Sequence, residues 1–218
     1  ERVTKSDDHH KNLAAHLATN TGAADVEAIE EGWISQFTNA PNRFVDLAEY
    51  GDATLAGRWP DWKWAAGSAA DGRVVGLGTD VGGMAMCYRK DLLARAGLPT
   101  ERTQVARLWP TWPAYIATGI RFKQRVPDVA FFDGPAAIYR GILGQQKVGL
   151  YDGEDNVVVG RNPAVKQAWD LSAQAIQAGL SARSVAFTAD WTAGLAQGTF
   201  ATIACPSWLT NYISQQAA

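Results

Sequence analysis

The sequence predicts an α/β protein in two units, because strand and helix signals alternate along its length, glycine and proline punctuate the boundaries, and a Gly-rich crossing divides the chain near Gly82. That order argues for a mainly parallel sheet flanked by helices in each unit, with 1–82 as the first and 83–218 as the second.

The first helix follows Ser6 as an N-cap, runs through DDHHKNLAAHLAT with Leu13 and Leu17 on one face, and stops at Gly22. Ala24 to Ile29 reads as a short strand leading into Glu30, Glu31, Gly32 and Trp33. Loops at the carboxyl ends of strands meet ligands in open α/β sheets, so this loop is a candidate site, although a solvated helix start reads the same way. A short helical segment is expected over Phe44 to Leu55, and Asp71-Gly72 turns the chain tightly into a strand from Val74.

The crossing VVGLGTDVGGMAMCYRKDLLARAGL is the most informative segment. Gly76, Gly78, Gly82 and Gly83 permit positive φ and close approach of a ligand or chain, while Met84, Met86 and Tyr88 alternate as strand residues do. Asp80 lies in that Gly-rich loop, where a carboxylate is placed to meet a ligand; a plain turn between strands is the competing reading. The spacing G-x-G-x-x-x-G-G puts Val81 where a dinucleotide fingerprint needs its third glycine, and a strand follows in place of a helix.

Lys90 to Ala96 then forms a helix closed by Gly97 with Pro99 behind it. Thr111 caps a further helix with Pro113 in its first turn and Tyr115, Ile116 and Phe122 as the buried stripe. Val129 to Phe132 is a strand ending in Asp133-Gly134-Pro135, a third loop that carries a carboxylate. Asp152 to Val159 reads as a hairpin, Asn162-Pro163 starts a helix through Ile176 that Gly179 ends, and Asp190 to Gln197 forms a helix ending at Gly198. Thr199 to Ala204 is a buried strand with Pro206-Ser207-Trp208 at its carboxyl end.

A 218-residue chain that is 47% hydrophobic can bury a sizeable core, and a net charge of −2 carries no electrostatic footprint for nucleic acid or an anionic membrane surface. Apolar runs are too interrupted for a membrane-spanning helix. Nine tryptophans give flat apolar faces in quantity, among them Trp59, Trp62 and Trp64, of which Trp64 reads as packing beneath the strand that follows. Cys87 and Cys205 lack the spacing of a zinc site and lie in two apolar strand-like runs, as inert thiols or as one long-range disulfide.

Four segments in order, LAAHLATNTGAADVEAIEEGW, DGRVVGLGTDVGGMAMCYRKDLLARAGL, LWPTWPAYIATG and GLAQGTFATIACPSW, resemble the sugar-capturing extracellular solute-binding proteins of ABC transporters, the group that includes the maltose-binding protein. The resemblance implies a periplasmic-binding-protein-like fold of two lobes joined by crossing strands, with sugar held between them. It implies a chain continued at both ends, with a secretion leader and, in some members, a lipid-bearing cysteine ahead of Glu1. It also implies an extracellular monomer whose partners are an oligosaccharide and the transporter's permease subunits, with no nucleic acid, no cofactor, no metal, and contact with the membrane only through that anchor. Position by position, Glu30, Glu31 and Trp33 fall where the first lobe touches sugar hydroxyls, Asp80, Gly82, Gly83 and Met84 at the crossing loop, Asp133 at a second-lobe carboxylate, and Trp208 at the aromatic that stacks on a pyranose ring.

A secreted glycosidase drawing paired carboxylates from Glu30, Glu31, Asp80 and Asp133 is the chief rival. Nothing in the sequence marks an acid and a nucleophile at fixed separation, and Glu30 and Glu31 would point apart in an extended loop. A metal hydrolase built on Asp7, Asp8, His9 and His10 is weaker still, because consecutive helical residues face different directions.

Overall fold

A computed structural model describes residues 5–51, 55–154 and 156–216, and the chain divides into two compact units, Glu1–Val81 and Gly82–Ala218.

In the first unit α1 spans Ser6–Thr19, α2 Glu31–Thr38 and α3 Asp61–Ala66, with three 3-10 turns between α2 and α3. Asp7 and Asp8 complement the amino end of α1, but Ser6 is its first residue and not its cap, and Asn20, in the left-handed region at φ 56°, closes it ahead of Gly22. The expected strand Ala24–Ile29 forms no ladder: no strand of the first unit is present among the described residues to pair with it. Side chains of α1 serve the backbone there instead. His9 Nε2 donates to the Ala28 carbonyl (2.8 Å), while His10 Nε2 accepts the Glu30 N–H (2.9 Å) and its Nδ1–H donates to the Ser6 carbonyl (2.7 Å). This pair of bonds fixes His10 as the Nδ1–H tautomer.

The helical stretch expected from Phe44 to Leu55 reduces to the 3-10 turns Pro41–Arg43, at its edge, and Leu47–Glu49; positions 52–54 lie outside the described residues. The backbone is committed elsewhere. The Asp46 carboxylate accepts the N–H groups of Ala48 and Val74 (3.0 Å each), which hold its pKa below the usual carboxylate range, and the Leu47 N–H donates to the Val74 carbonyl (2.9 Å). The strand expected from Val74 is a single bridge to Ser68 across the Asp71-Gly72 turn, with Gly72 at φ 91°. At Gly67 a Cβ would fall 2.1 Å from the Gly76 carbonyl oxygen, so this close approach of two backbones requires glycine.

The second unit holds a three-stranded sheet in the order β1 (Met84–Tyr88), β3 (Phe200–Pro206), β2 (Ala130–Phe132). It is mixed where a mainly parallel sheet is expected: β2 runs parallel to β3, but β1 is antiparallel, with Met84 opposite Pro206 and Tyr88 opposite Thr202. The reason is the direction of entry, since the crossing delivers the chain beside the carboxyl end of β3. Around the sheet stand α4 (Lys90–Arg95), α5 (Arg102–Val105), α6 (Trp112–Arg125), α7 (Pro135–Leu143), α8 (Pro163–Gln177), α9 (Ala189–Gln197) and α10 (Leu209–Gln216). Side chains of Thr111 and Asn162 cap α6 and α8, and Gly97, Gly179 and Gly198 take positive φ where the helices before them end, as the sequence predicts; α9 is capped by Thr188, ahead of the expected start at Asp190. The expected hairpin at Asp152 to Val159 is one bridge, Tyr151 to Val157, and Asp155 lies outside the described residues.

The core is aromatic. Phe131 is fully buried, with ring centroids of Tyr115 at 4.8 Å, Phe122 at 5.5 Å and Trp109 at 6.1 Å. Tyr115 is satisfied within it: Thr202 Oγ1 donates to the Phe131 carbonyl (2.6 Å) and accepts the Tyr115 hydroxyl (2.6 Å). A disulfide joins Cys87 on β1 to Cys205 on β3 with Cα atoms 5.8 Å apart, which settles the two readings of these cysteines in favour of the bridge.

Candidate functional site

Three segments meet at the carboxyl edge of the second unit's sheet. The chain enters β1 there through Gly83, whose carbonyl accepts the Ser207 N–H (3.3 Å), and leaves β3 there through Pro206, Ser207 and Trp208. Strand β2 ends toward the same side of the sheet, with Phe132 opposite Thr202, and runs on into Asp133 and Gly134. The segment 181–188 is laced to that end: Ala182 N–H donates to the Phe132 carbonyl (2.8 Å), Ser184 N–H to the Asp133 carbonyl (3.0 Å), and a Cβ on Gly134 would lie 2.3 Å from the Ser184 carbonyl oxygen.

Of the residues the sequence proposes, Gly83, Met84, Asp133 and Trp208 are brought to this edge, and Gly82 precedes Gly83. Met84 and Trp208 are exposed, at 54% and 55%. Gly76, Gly78 and Gly83 do not adopt the left-handed region, so at these positions the expected use of positive φ is not made.

Asp133 departs from expectation most. It is 2% exposed, one carboxylate oxygen accepts the Trp191 indole N–H (2.9 Å), and the other, Oδ1, has no partner among the described residues. Burial raises its pKa, opposed by the Trp191 and Gly134 N–H groups. A carboxylate so enclosed holds an indole in place and does not present itself to a ligand.

That indole supports aromatics the sequence reading passes over. Phe187 lies against Trp191 (centroids 5.2 Å) and runs 18° from parallel to Trp208 at 6.1 Å, and the Trp191 and Tyr212 rings are stacked at 6.1 Å. The Tyr212 and Thr192 hydroxyls are hydrogen-bonded (3.1 Å), which fixes Tyr212 from α9. The available signal was Phe187 and Trp191, spaced by four on either side of the Thr188 cap. The arrangement offers flat apolar rings on a rigid sheet edge, the surface that the C–H face of a pyranose matches.

The other proposed residues belong to the first unit. Glu30 caps α2, its Oε2 accepting the Gly32 N–H (2.9 Å), and Glu31 pairs with Lys63 (3.5 Å), so this loop is a helix start and not a strand end. Both line a hollow of ≈ 960 Å³ with Ile34 and Gly76–Thr79. Trp33 turns a face to His10, ring on ring at 5.1 Å and 11°, and is not in the wall of that hollow. Asp80 is exposed just before the unit boundary. Trp59, half-buried against Trp64, donates its indole N–H to the Gly78 carbonyl (2.6 Å), whereas Trp62 is exposed. His9 and His10 are spent on backbone bonds.

The profile of the bacterial extracellular solute-binding proteins matches residues 1–217. A crystal structure described as an extracellular solute-binding protein of family 1 is 41% identical over 100% of this chain and 56% of its own, with a TM-score of 0.84. At 18% identity, the binding protein of an ABC transporter from B. animalis subsp. lactis, solved with β-1,6-galactobiose, covers 100% of this chain and 53% of its own with a TM-score of 0.78. A cyclic α-maltosyl-1,6-maltose binding protein from Arthrobacter globiformis, at 17% identity, covers 98% and 54% with a TM-score of 0.72. No curated protein sequence matches. The fold is thus the α/β fold of periplasmic binding proteins, and the chain spans about half the length of the structures it matches. It belongs to the bacterial extracellular solute-binding protein family, a family of binding proteins.

Proposed function

We propose that this protein captures an oligosaccharide outside the cell and delivers it uncleaved to the permease of an ABC transporter, with the two units as the two lobes of the binding protein. The observation that carries this reading is Trp208, more than half exposed at the sheet's carboxyl edge and near-parallel to Phe187, which the buried Trp191–Asp133 pair backs. Met84, Gly82 and Gly83 adjoin it, and Glu30, Glu31, Trp33 and Asp80 are the proposed contacts of the first unit. Micromolar affinity corresponds to about 8 kcal/mol net, and aromatic stacking contributes about 0.5–1.5 kcal/mol per ring beyond area burial, so stacked rings with several hydroxyl hydrogen bonds suffice after ordering costs. The ligands named for the galactobiose- and maltosyl-maltose-binding neighbours support a substrate of two or more sugar rings.

Calorimetric titration with xylo-, malto- and galacto-oligosaccharides tests the reading, with chromatography of the recovered sugar. The expected result is saturable binding of at least one sugar and its recovery intact. Steady release of shorter products would establish the glycosidase reading instead.

A further inference from the structure

We infer that Phe187 is a second sugar-stacking plate, forming with Trp208 one platform for two consecutive rings of the ligand. This rests on the carbohydrate reading above and adds a residue to it.

Phe187 is held at φ 65°, in the left-handed region that a bulky residue occupies only under strain. The residue is nevertheless 58% exposed. Glycine or asparagine would relax the backbone, and the packing of Phe187 on Trp191 and Tyr212 leaves more than half of the residue outside the core. The strained conformation instead puts the ring beside Trp208, 18° from parallel with centroids 6.1 Å apart, and both rings stay more than half exposed. A ring that merely capped Trp208 would cover it.

The plate is braced from behind. Trp191 packs under Phe187 and is pinned by Asp133, and Tyr212 meets Phe187 edge to face (6.1 Å, 71°) while its hydroxyl is tied to Thr192. Such bracing lets the rings meet a ligand without losing rotamer freedom on binding. Two stacked rings that each stay more than half exposed suit a ligand with two apolar ring faces in succession, so a disaccharide or longer chain gains from both where a single ring gains from one.

The test is calorimetry on the wild type, Trp208→Ala, Phe187→Ala, Phe187→Gly and Phe187→Trp, with β-1,6-galactobiose, maltotriose and xylotriose as probes. The tightest probe should lose about tenfold or more in affinity for Phe187→Ala and Phe187→Gly, and no more than about threefold for Phe187→Trp, which keeps a plate. Phe187→Gly should melt no lower than Phe187→Ala, because glycine relieves the positive φ that alanine keeps. Affinity that is unchanged or tighter in Phe187→Ala and Phe187→Gly, with Trp208→Ala still weakened, would overturn the second plate and leave the carbohydrate reading standing. Failure of wild type to bind any of the probes would overturn both.

Discussion

Phe131→Ala is expected to lower the unfolding free energy of the second unit by about 3–5 kcal/mol, the range for emptying a buried aromatic site. Phe131 is fully buried on the short strand β2, and the rings of Trp109, Tyr115 and Phe122 surround it. Relaxation cannot fill the space cheaply. Tyr115 is anchored by its hydroxyl to Thr202, and Thr202 bonds in turn to the backbone carbonyl of Phe131, so collapse of the tyrosine into the cavity would break a buried hydrogen bond. On the far side Gly119 of α6 already stands where a Cβ would come within 2.5 Å of the Phe131 ring. Urea unfolding followed by near-ultraviolet circular dichroism measures the loss; a change under about 1 kcal/mol would mean the site is far less tightly packed than described.

The second large effect is expected from the disulfide. Replacing Cys87 and Cys205 by serine should cost the folded state about 2–4 kcal/mol, and chain-entropy reasoning sets about 4.7 kcal/mol for a loop of roughly a hundred residues. The bridged positions are 118 apart in sequence, so the closure restricts most of the second unit's unfolded chain. It also fixes β1 to β3 three residues before Trp208. Parallel denaturant titrations of the oxidised protein and the double variant check this, and coincident midpoints would refute it. A bridge of this kind belongs to an oxidising compartment, in keeping with the extracellular family to which the chain belongs.

Helices with side-chain or proline signals at their starts and glycine at their ends were legible in the sequence: α6 and α8 begin at their expected capping residues, and Gly97, Gly179 and Gly198 take the positive φ expected of helix stops. α7 escapes the sequence reading although Pro135 stands at its first turn, because Asp133-Gly134-Pro135 also reads as a loop, and the four-residue α5 has no side-chain cap bond at its start. Strands fared worse in the first unit. Ala24–Ile29 and the segment after Val74 carry strand-like residues, but a strand exists only with a partner, and sequence pattern does not supply one. The sheet edge proposed for binding was half legible: Trp208 was visible as an aromatic at a strand terminus, whereas the inward turn of Asp133 depended on Trp191 arriving from 58 residues away. The spacing of Phe187 and Trp191 around Thr188 signals their contact, but the exposure of Phe187 beside Trp208 stayed hidden because positive φ at a phenylalanine has no sequence signature.

The most direct measurement of the central claim is the indole N–H spectrum of the nine tryptophans during a sugar titration, with each resonance assigned by single replacement. The account predicts that the Trp208 resonance shifts saturably with the bound sugar while Trp109, packed against Phe131, stays in place. A bound sugar that leaves Trp208 unmoved would contradict it.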